Sequence, residues 1–266
     1  MNIGIMDSFL GAGTRAENFR RASQAGADGV EVVYSTTEQA SQLNSDHAAE
    51  LKTLAREHGL AIPSLCIAVV NQTPSLITSL EAAGKTLELL RRAIEVSAEA
   101  GASVLLVPFF DQNAIELPEE LDRAAEALNE LVEPAEQAGV TLGVESSLNA
   151  DQLEYLLDAL TGSPNVKVYY DTANALARKL DPVTFIRDLG PGRLAQVHFK
   201  DVRVVSGQPP NYDIPLGEGD VDFDGVMQSL RAVGYDGWIV IEAGGGEDPV
   251  ESAKRNIAFT RELLED

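Results

Sequence analysis

Two hydrophobic patterns alternate along the whole chain. Short runs of consecutive apolar, often β-branched residues are followed by longer segments in which apolar residues recur every three or four positions. The first pattern predicts strands buried on both faces, and the second predicts amphipathic helices. The strands are predicted at 2–6, 29–34, 62–68, 103–109, 140–146, 166–172, 195–200 and 238–243. The helices are predicted at about 15–25, 46–57, 80–99, 117–137, 150–161, 182–189, 223–234 and 248–264.

This strict alternation of eight strands and eight helices predicts an α/β fold with a closed parallel sheet. A barrel of that kind takes about 250 residues, and the chain has 266. We therefore predict a single-domain (β/α)8 TIM barrel over residues 1–266. An open, doubly wound sheet is disfavoured by the number of units and by the lack of an early Gly-rich nucleotide motif. A longer insertion, rich in Gly and Pro, is expected at about 202–221.

Charge and composition exclude several classes of function. The formal net charge of −22 repels phosphate backbones, so we expect no nucleic-acid partner. No run of 18 apolar residues occurs, and the N-terminal residues read as a first strand and its loop, so we expect no membrane partner and no signal peptide. The one cysteine, Cys66, fits a reducing compartment. We predict a cytoplasmic protein, and the sequence leaves room for a homo-oligomer.

Four consecutive predicted strands, the fifth to the eighth, end in side chains that can bind metals. These side chains are Glu145, Asp171, His198 and Glu242. Because functional residues of barrels lie at the C-terminal strand ends, we expect the four to converge. Like charges a few ångströms apart repel one another unless a cation lies among them. Three carboxylates and one imidazole suit hard divalent ions, so we predict one Mn²⁺ ion, with Mg²⁺, Co²⁺ or Zn²⁺ as alternatives.

Each of these residues also has a plainer explanation. An acidic residue that follows a strand often caps the next helix, and Asp171 is placed to do so. A single histidine is more often a hydrogen-bonded structural residue than a ligand. Four such residues on four successive strands favour the metal site, because chance rarely repeats the same position. The other two histidines, His47 and His58, belong to the second helix or its end and are expected at the surface.

Three further polar residues are candidates for substrate binding on their own chemistry. Glu31 lies in a predicted buried strand, where a charge needs a partner, either the substrate or a residue behind the site. Lys200 could neutralise the acidic cluster or a substrate oxygen. Glu218 belongs to the insertion and could contact a substrate from there.

The segments GVESS, YYDTANA, QVHFKD, PLGEGDVDF and WIVIEAGG, in this order, resemble the motifs of a known group. It is the sugar phosphate isomerase/epimerase family of xylose-isomerase-like TIM barrels, and the ketose 3-epimerases in particular. The resemblance implies that Glu145, Asp171, His198 and Glu242 are the metal ligands. It also implies that Glu145 and Glu242 are the acid/base pair, which moves a proton next to a carbonyl through a metal-stabilised enediolate. The implied partner is a small carbohydrate.

Departures from the family pattern concern the residues around the metal. Asn174 stands where many relatives have a substrate-contacting histidine. Arg203 lies next to the position at which an arginine often follows the histidine ligand. Asp151 lies where ketose epimerases have an acidic substrate contact, although the start of a helix explains it equally well. We predict that these three residues contact the substrate, but the sequence leaves the sugar and its phosphorylation open.

Other activities share this fold and stay open as alternatives. A metal-dependent dehydratase of a cyclic polyol ketone, such as inosose or dehydroshikimate, would use the same enediolate chemistry. A sugar-binding barrel without catalysis is a more distant alternative. An abasic-site endonuclease is disfavoured, because it needs several additional histidines at strand ends and a surface that tolerates DNA.

Overall fold

A computed structural model describes residues 1–160, 163–244 and 247–265. The strands pair in chain order and close into a parallel barrel, which confirms the predicted (β/α)8 architecture. The strands are β1 (Asn2–Met6), β2 (Gly29–Val33), β3 (Ser64–Cys66), β4 (Val104–Phe109), β5 (Thr141–Ser146), β6 (Val166–Asp171), β7 (Leu194–Phe199) and β8 (Trp238–Ile241). The α-helices of the described residues are α1 (Arg15–Ala25), α2 (Thr37–Ala40), α3 (Ser45–His58), α4 (Leu80–Ala100), α5 (Pro118–Ala138), α6 (Ala150–Ala159), α7 (Thr172–Ala177), α8 (Pro182–Leu189), α9 (Phe223–Ala232) and α10 (Pro249–Glu265).

By backbone proximity the chain groups into two compact units, of which the first comprises Met1–Val32, Leu54–Ala61 and the residues from Tyr170 onward. In this unit β1 pairs with β2 on one side and with β8 on the other. Strand β7 continues the sheet beyond β8. These strands are almost entirely buried, as expected for a parallel sheet covered on both faces.

The second unit comprises Val33–Thr53 and Ile62–Tyr169. Here β3, β4, β5 and the first part of β6 pair side by side. The long helices α4 and α5 pack against each other and bury their apolar faces. A Cβ on Gly143 of β5 would lie 3.0 Å from the Tyr169 ring and 3.1 Å from a methyl of Val104, so a larger residue would crowd these side chains.

Three local features differ from the sequence prediction. Strand β3 is shorter than predicted, and a 3₁₀ helix at Ala68–Gln72 follows it. Proline at position 63 explains the late start, because it cannot donate to the ladder. Two short helices, α2 and α7, were not predicted, since four to six residues are too few to show a hydrophobic period. Within the described residues no helix has the length and apolarity needed to cross a membrane.

Candidate metal and active site

The four predicted ligands come together at the C-terminal ends of β5 to β8. Glu145, Asp171, His198 and Glu242 each offer one ligand atom, and these atoms all lie within 4.8 Å of one another. Glu145, Asp171 and His198 are buried, and Glu242 is partly buried. A spacing of that size allows a single ion to contact all four groups.

Asp171 caps a helix, as the sequence offered, and it also belongs to the cluster of predicted ligands. It is the last residue of β6 and the N-cap of α7, where its Oδ1 accepts the backbone N–H of Asn174 at 2.6 Å. Its other oxygen, Oδ2, lies 4.0 Å from Nζ of Lys200. The cap therefore fixes the orientation of the carboxylate, because one oxygen is tied to the helix while the other faces a charged group.

His198 lies between two carboxylates. Its Nε2 is 3.0 Å from Oε1 of Glu31, and its Nδ1 is 3.0 Å from Oε2 of Glu242. The side chains of His198 and Glu31 are 1% and 0% exposed. Glu31 thus lies behind the histidine, as the partner of a predicted ligand, and a substrate contact by Glu31 stays an untested prediction.

Lys200 places a positive charge among the same carboxylates. Its Nζ donates to Oε1 of Glu242 at 2.6 Å. Burial acts to raise the pKa of Glu242, but the ammonium of Lys200 and then the imidazole of His198 outweigh it and hold that pKa far below its usual range. Glu242 is therefore a carboxylate at neutral pH. The backbone of Lys200 is fixed by Thr172, whose hydroxyl donates to the Lys200 carbonyl at 2.6 Å and accepts its N–H at 3.1 Å.

The residues fit a divalent cation by charge and by donor type. The three carboxylates of the cluster outnumber the ammonium of Lys200, so an excess of negative charge remains that a cation would balance. Oxygen donors dominate, with a single imidazole nitrogen. This donor set is typical of Mn²⁺ or Mg²⁺ sites and differs from the Cys-rich sets of structural zinc.

Asp201, which no pattern in the sequence marks as a candidate, organises the insertion after β7. It is 1% exposed, and its two oxygens accept four backbone N–H groups. The donors are Val202 at 2.8 Å, Gly217 at 3.0 Å, Gly219 at 2.7 Å and Val221 at 3.2 Å. A Cβ on Gly219 would lie 2.0 Å from the carboxylate, so this close approach requires glycine. One buried carboxylate therefore closes a loop of about twenty residues beside the site.

We expect Asp201→Ala to lower the free energy of unfolding by roughly 3 kcal/mol, because it leaves several N–H groups without their acceptor. Asp220→Ala is the matched control, because its carboxylate is 35% exposed and accepts from Arg203 and from the backbone N–H of Val204. Loss of these exposed contacts should lower the free energy of unfolding by about 1 kcal/mol or less. Urea unfolding of both variants checks the difference, and equal losses would contradict the role assigned to Asp201.

Two predicted substrate contacts, Arg203 and Glu218, meet within the same insertion. Arg203 binds Oδ1 of Asp220 at 3.0 Å and also donates to the backbone carbonyl of Glu218. The Glu218 carboxylate is well exposed and lies 3.7 Å from Nη1 of Arg255. The ring of Tyr212, from the middle of the insertion, lies 5.1 Å from Nζ of Lys200. This last contact could not be predicted from the sequence, because a tyrosine in a Gly- and Pro-rich segment has no diagnostic pattern.

The other two predicted substrate contacts lie at helix starts. Asn174 is in the first turn of α7 and is partly exposed. Asp151 is exposed in the first turn of α6, which Asn149 caps. Acidic residues are favourable in a first helical turn, so the position of Asp151 is explained with or without a substrate.

One expectation about the histidines was wrong. His47 is 7% exposed, and its Nε2 lies 3.0 Å from the hydroxyl of the fully buried Tyr34. Its Nδ1 is 3.1 Å from Oε2 of Glu50. Helix α3 therefore places His47 in the interior, because the hydroxyl of Tyr34 gives the buried imidazole a hydrogen-bond partner.

Comparison with known proteins agrees with this architecture. Residues 19–263 match the family described as xylose isomerase-like TIM barrel. L-ribulose-5-phosphate 3-epimerase UlaE of Shigella flexneri serotype 5b is 30% identical over 259 residues, which cover 93% of this chain and 89% of that protein.

Solved structures share the fold at lower identity. The structure of L-ribulose 3-epimerase superposes with a TM-score of 0.81 at 20% identity, over 99% of this chain and 94% of the other. That of 3-keto-D-glucoside 4-epimerase YcjR from Escherichia coli gives a TM-score of 0.80 at 20% identity, over 98% and 99%. With the match over residues 19–263, these findings establish that the chain belongs to the xylose isomerase-like TIM barrel family.

Proposed function

We propose that this protein is a divalent-metal-dependent isomerase that epimerises a keto-sugar or its phosphate. The observation that carries the proposal is the cluster of Glu145, Asp171, His198 and Glu242, whose ligand atoms lie within 4.8 Å of one another. The epimerase class agrees with the relative named L-ribulose-5-phosphate 3-epimerase. A ketopentose 5-phosphate is therefore the first substrate to test, with C3 as the expected reacting carbon.

The ligand set would be the four residues of the cluster, with Mn²⁺ as the proposed ion. When bound, such an ion supplies Lewis-acid stabilisation of the enediolate that forms from the carbonyl and the neighbouring carbon. Glu242 is kept ionised by Lys200 and His198, so it can accept a proton. Glu145, buried at the end of β5, is the second carboxylate and would exchange a proton at the opposite face of the same carbon. Inversion at that carbon follows when one glutamate removes the proton and the other returns one.

Lys200 would assist in two ways. Its ammonium at 2.6 Å from Glu242 favours the carboxylate form in the resting protein. It also offers N–H donors to a substrate oxygen on which negative charge develops. The nearby Tyr212 ring lies 5.1 Å from Nζ of this lysine, and Asp201 holds the loop of Tyr212 in place, so Lys200 and Tyr212 would both border the substrate.

The dehydratase alternative is distinguished by its product. Removal of the same proton followed by loss of a hydroxyl group would release water and give an unsaturated or deoxy ketone. No feature of the described residues favours that course over reprotonation, and the named relatives above are epimerases. The cytoplasmic location and the identity of the ion belong to the same proposal and rest on the sequence.

The test is solvent deuterium incorporation across a panel of ketoses and their phosphates, with Mn²⁺ present and absent. L-ribulose and L-ribulose 5-phosphate belong in the panel. We expect carbon-bound deuterium at one position in both epimers when Mn²⁺ is present, and none without it. Nuclear magnetic resonance locates the labelled carbon and detects dehydration in the same spectra.

Glu251→Gln is a suitable control protein for this assay. Glu251 is an exposed residue of α10, paired with Lys254 at 2.7 Å, and its loss should leave exchange unchanged. If the substrate loses water and no epimer forms, the protein is a dehydratase and the proposal is wrong. Absence of exchange from every compound, together with sugar binding, would favour a non-catalytic barrel.

A further inference from the structure

Glu31 and His198 form a buried contact behind the four predicted ligands. Oε1 of Glu31 lies 3.0 Å from Nε2 of His198, and both side chains are buried. The neighbours of Glu31 in β2 are valines, and all five residues of that strand are buried. An apolar side chain would suit this position better, because a buried charge is costly unless a specific partner compensates it.

The imidazole has two nitrogens with different surroundings. Nε2 faces Glu31, whereas Nδ1 faces the predicted metal cluster at 3.0 Å from Oε2 of Glu242. A carboxylate accepts a hydrogen bond and cannot donate one, so it selects the form of the ring that carries a proton on Nε2. With Nε2–H held in this way, Nδ1 is the nitrogen that would bind a cation in the cluster, in place of its contact with Glu242.

We propose that Glu31 is a positioning residue that fixes the ring orientation and tautomer of His198 for metal binding. It acts through the histidine, because its side chain is 0% exposed and its carboxylate lies 3.0 Å from Nε2 of His198. A carboxylate behind a ligating histidine also makes the imidazole a stronger electron-pair donor. The inference rests on the proposed function, since it requires that His198 binds a metal.

Replacement of Glu31 by glutamine keeps the size of the side chain and an oxygen acceptor but removes the charge. We expect E31Q to weaken Mn²⁺ binding by about 10-fold or more, and E31L to weaken it by about 100-fold. Isothermal titration calorimetry at constant pH measures the dissociation constant. In the metal-free protein, long-range proton–nitrogen spectra of the His198 imidazole should show a proton held on Nε2 in the wild type and Nε2 only partly protonated in E31Q.

The chain offers a matched control in Glu50, whose Oε2 lies 3.1 Å from Nδ1 of the buried His47. E50Q alters another carboxylate–histidine pair, with a 61% exposed carboxylate and a histidine that is not among the predicted ligands, so its Mn²⁺ affinity should equal that of the wild type. Thermal unfolding of all variants without metal separates a loss of stability from a loss of affinity.

Each outcome bears on a different claim. Equal Mn²⁺ affinity in the wild type and E31Q would overturn the positioning role while leaving the metal site intact, whether or not E31Q is less stable. If E31L fails to fold, the comparison of E31Q with E50Q still decides the question. A wild-type protein that binds no Mn²⁺ would contradict the proposed function itself, and the role of Glu31 with it.

Discussion

Glu242→Gln is expected to lower the epimerisation rate by about 10²–10⁴-fold, the contribution of a positioned acid/base group. Glutamine keeps the size of the side chain and one oxygen for the metal, so the variant should still bind Mn²⁺, although more weakly. It cannot accept a proton at the substrate carbon. It also removes the negative partner of Lys200, whose Nζ lies 2.6 Å from Oε1. The loss should therefore appear in kcat more than in KM.

Deuterium exchange and epimer formation, measured on the same sample, give a direct test. In Glu242→Gln, Glu145 is the base that remains, and it acts on one face of the carbon. Exchange from one of the two epimers should then be partly retained, while epimerisation is lost in both directions. Glu145→Gln should show the opposite preference between the epimers, since Glu145 is assigned to the other face. A Glu242→Gln protein with wild-type turnover would remove this residue from the proton transfer, whatever its part in metal binding.

Removal of the metal should have the second large effect, because the proposed ion would stabilise both the enediolate and the folded protein. Chelator treatment should reduce epimerisation to background and lower Tm. An ion present at 100 times its Kd stabilises the folded state by about 2.7 kcal/mol. For a chain of this size that stabilisation corresponds to a Tm shift of roughly 5–10 °C. Differential scanning calorimetry with and without Mn²⁺ measures the shift.

Asp171→Asn provides the control for metal removal. Asparagine is as good an N-cap as aspartate, so helix α7 and its contact with the N–H of Asn174 should persist. The loss of charge weakens the cluster, and Tm should then depend little on Mn²⁺. A wild-type Tm that is equally insensitive to Mn²⁺ and to chelator would argue against a resident metal.

The fold was predictable from the sequence because its signal is local and repeated. Each strand is a short apolar run, and each helix shows its own apolar stripe, so eight repetitions outweigh errors at single boundaries. The errors fell on short elements. Strand β3 is cut to Ser64–Cys66, and the helix Thr37–Ala40 is too short to carry a period.

The convergence of the four predicted ligands was also predictable from the sequence, and for a related reason. A parallel barrel aligns all C-terminal strand ends, so knowledge of each strand end is enough to predict convergence of Glu145, Asp171, His198 and Glu242. The family resemblance added the roles of the two glutamates. The residues around the site have no such rule, because Asp201, Thr172 and Tyr212 act through loop contacts that no local pattern encodes.

The sequence by itself therefore determined the eight-unit architecture and the four groups at the strand ends. Only the tertiary structure decided what surrounds them: that Glu31, 167 positions from His198 along the chain, is its partner, that Lys200 pairs with Glu242, and that His47 is buried. The physical reason is the range of the interactions. Strand and helix periods depend on neighbours within a few residues, whereas the partner of a buried charge is set by the register of strands that are distant in the sequence.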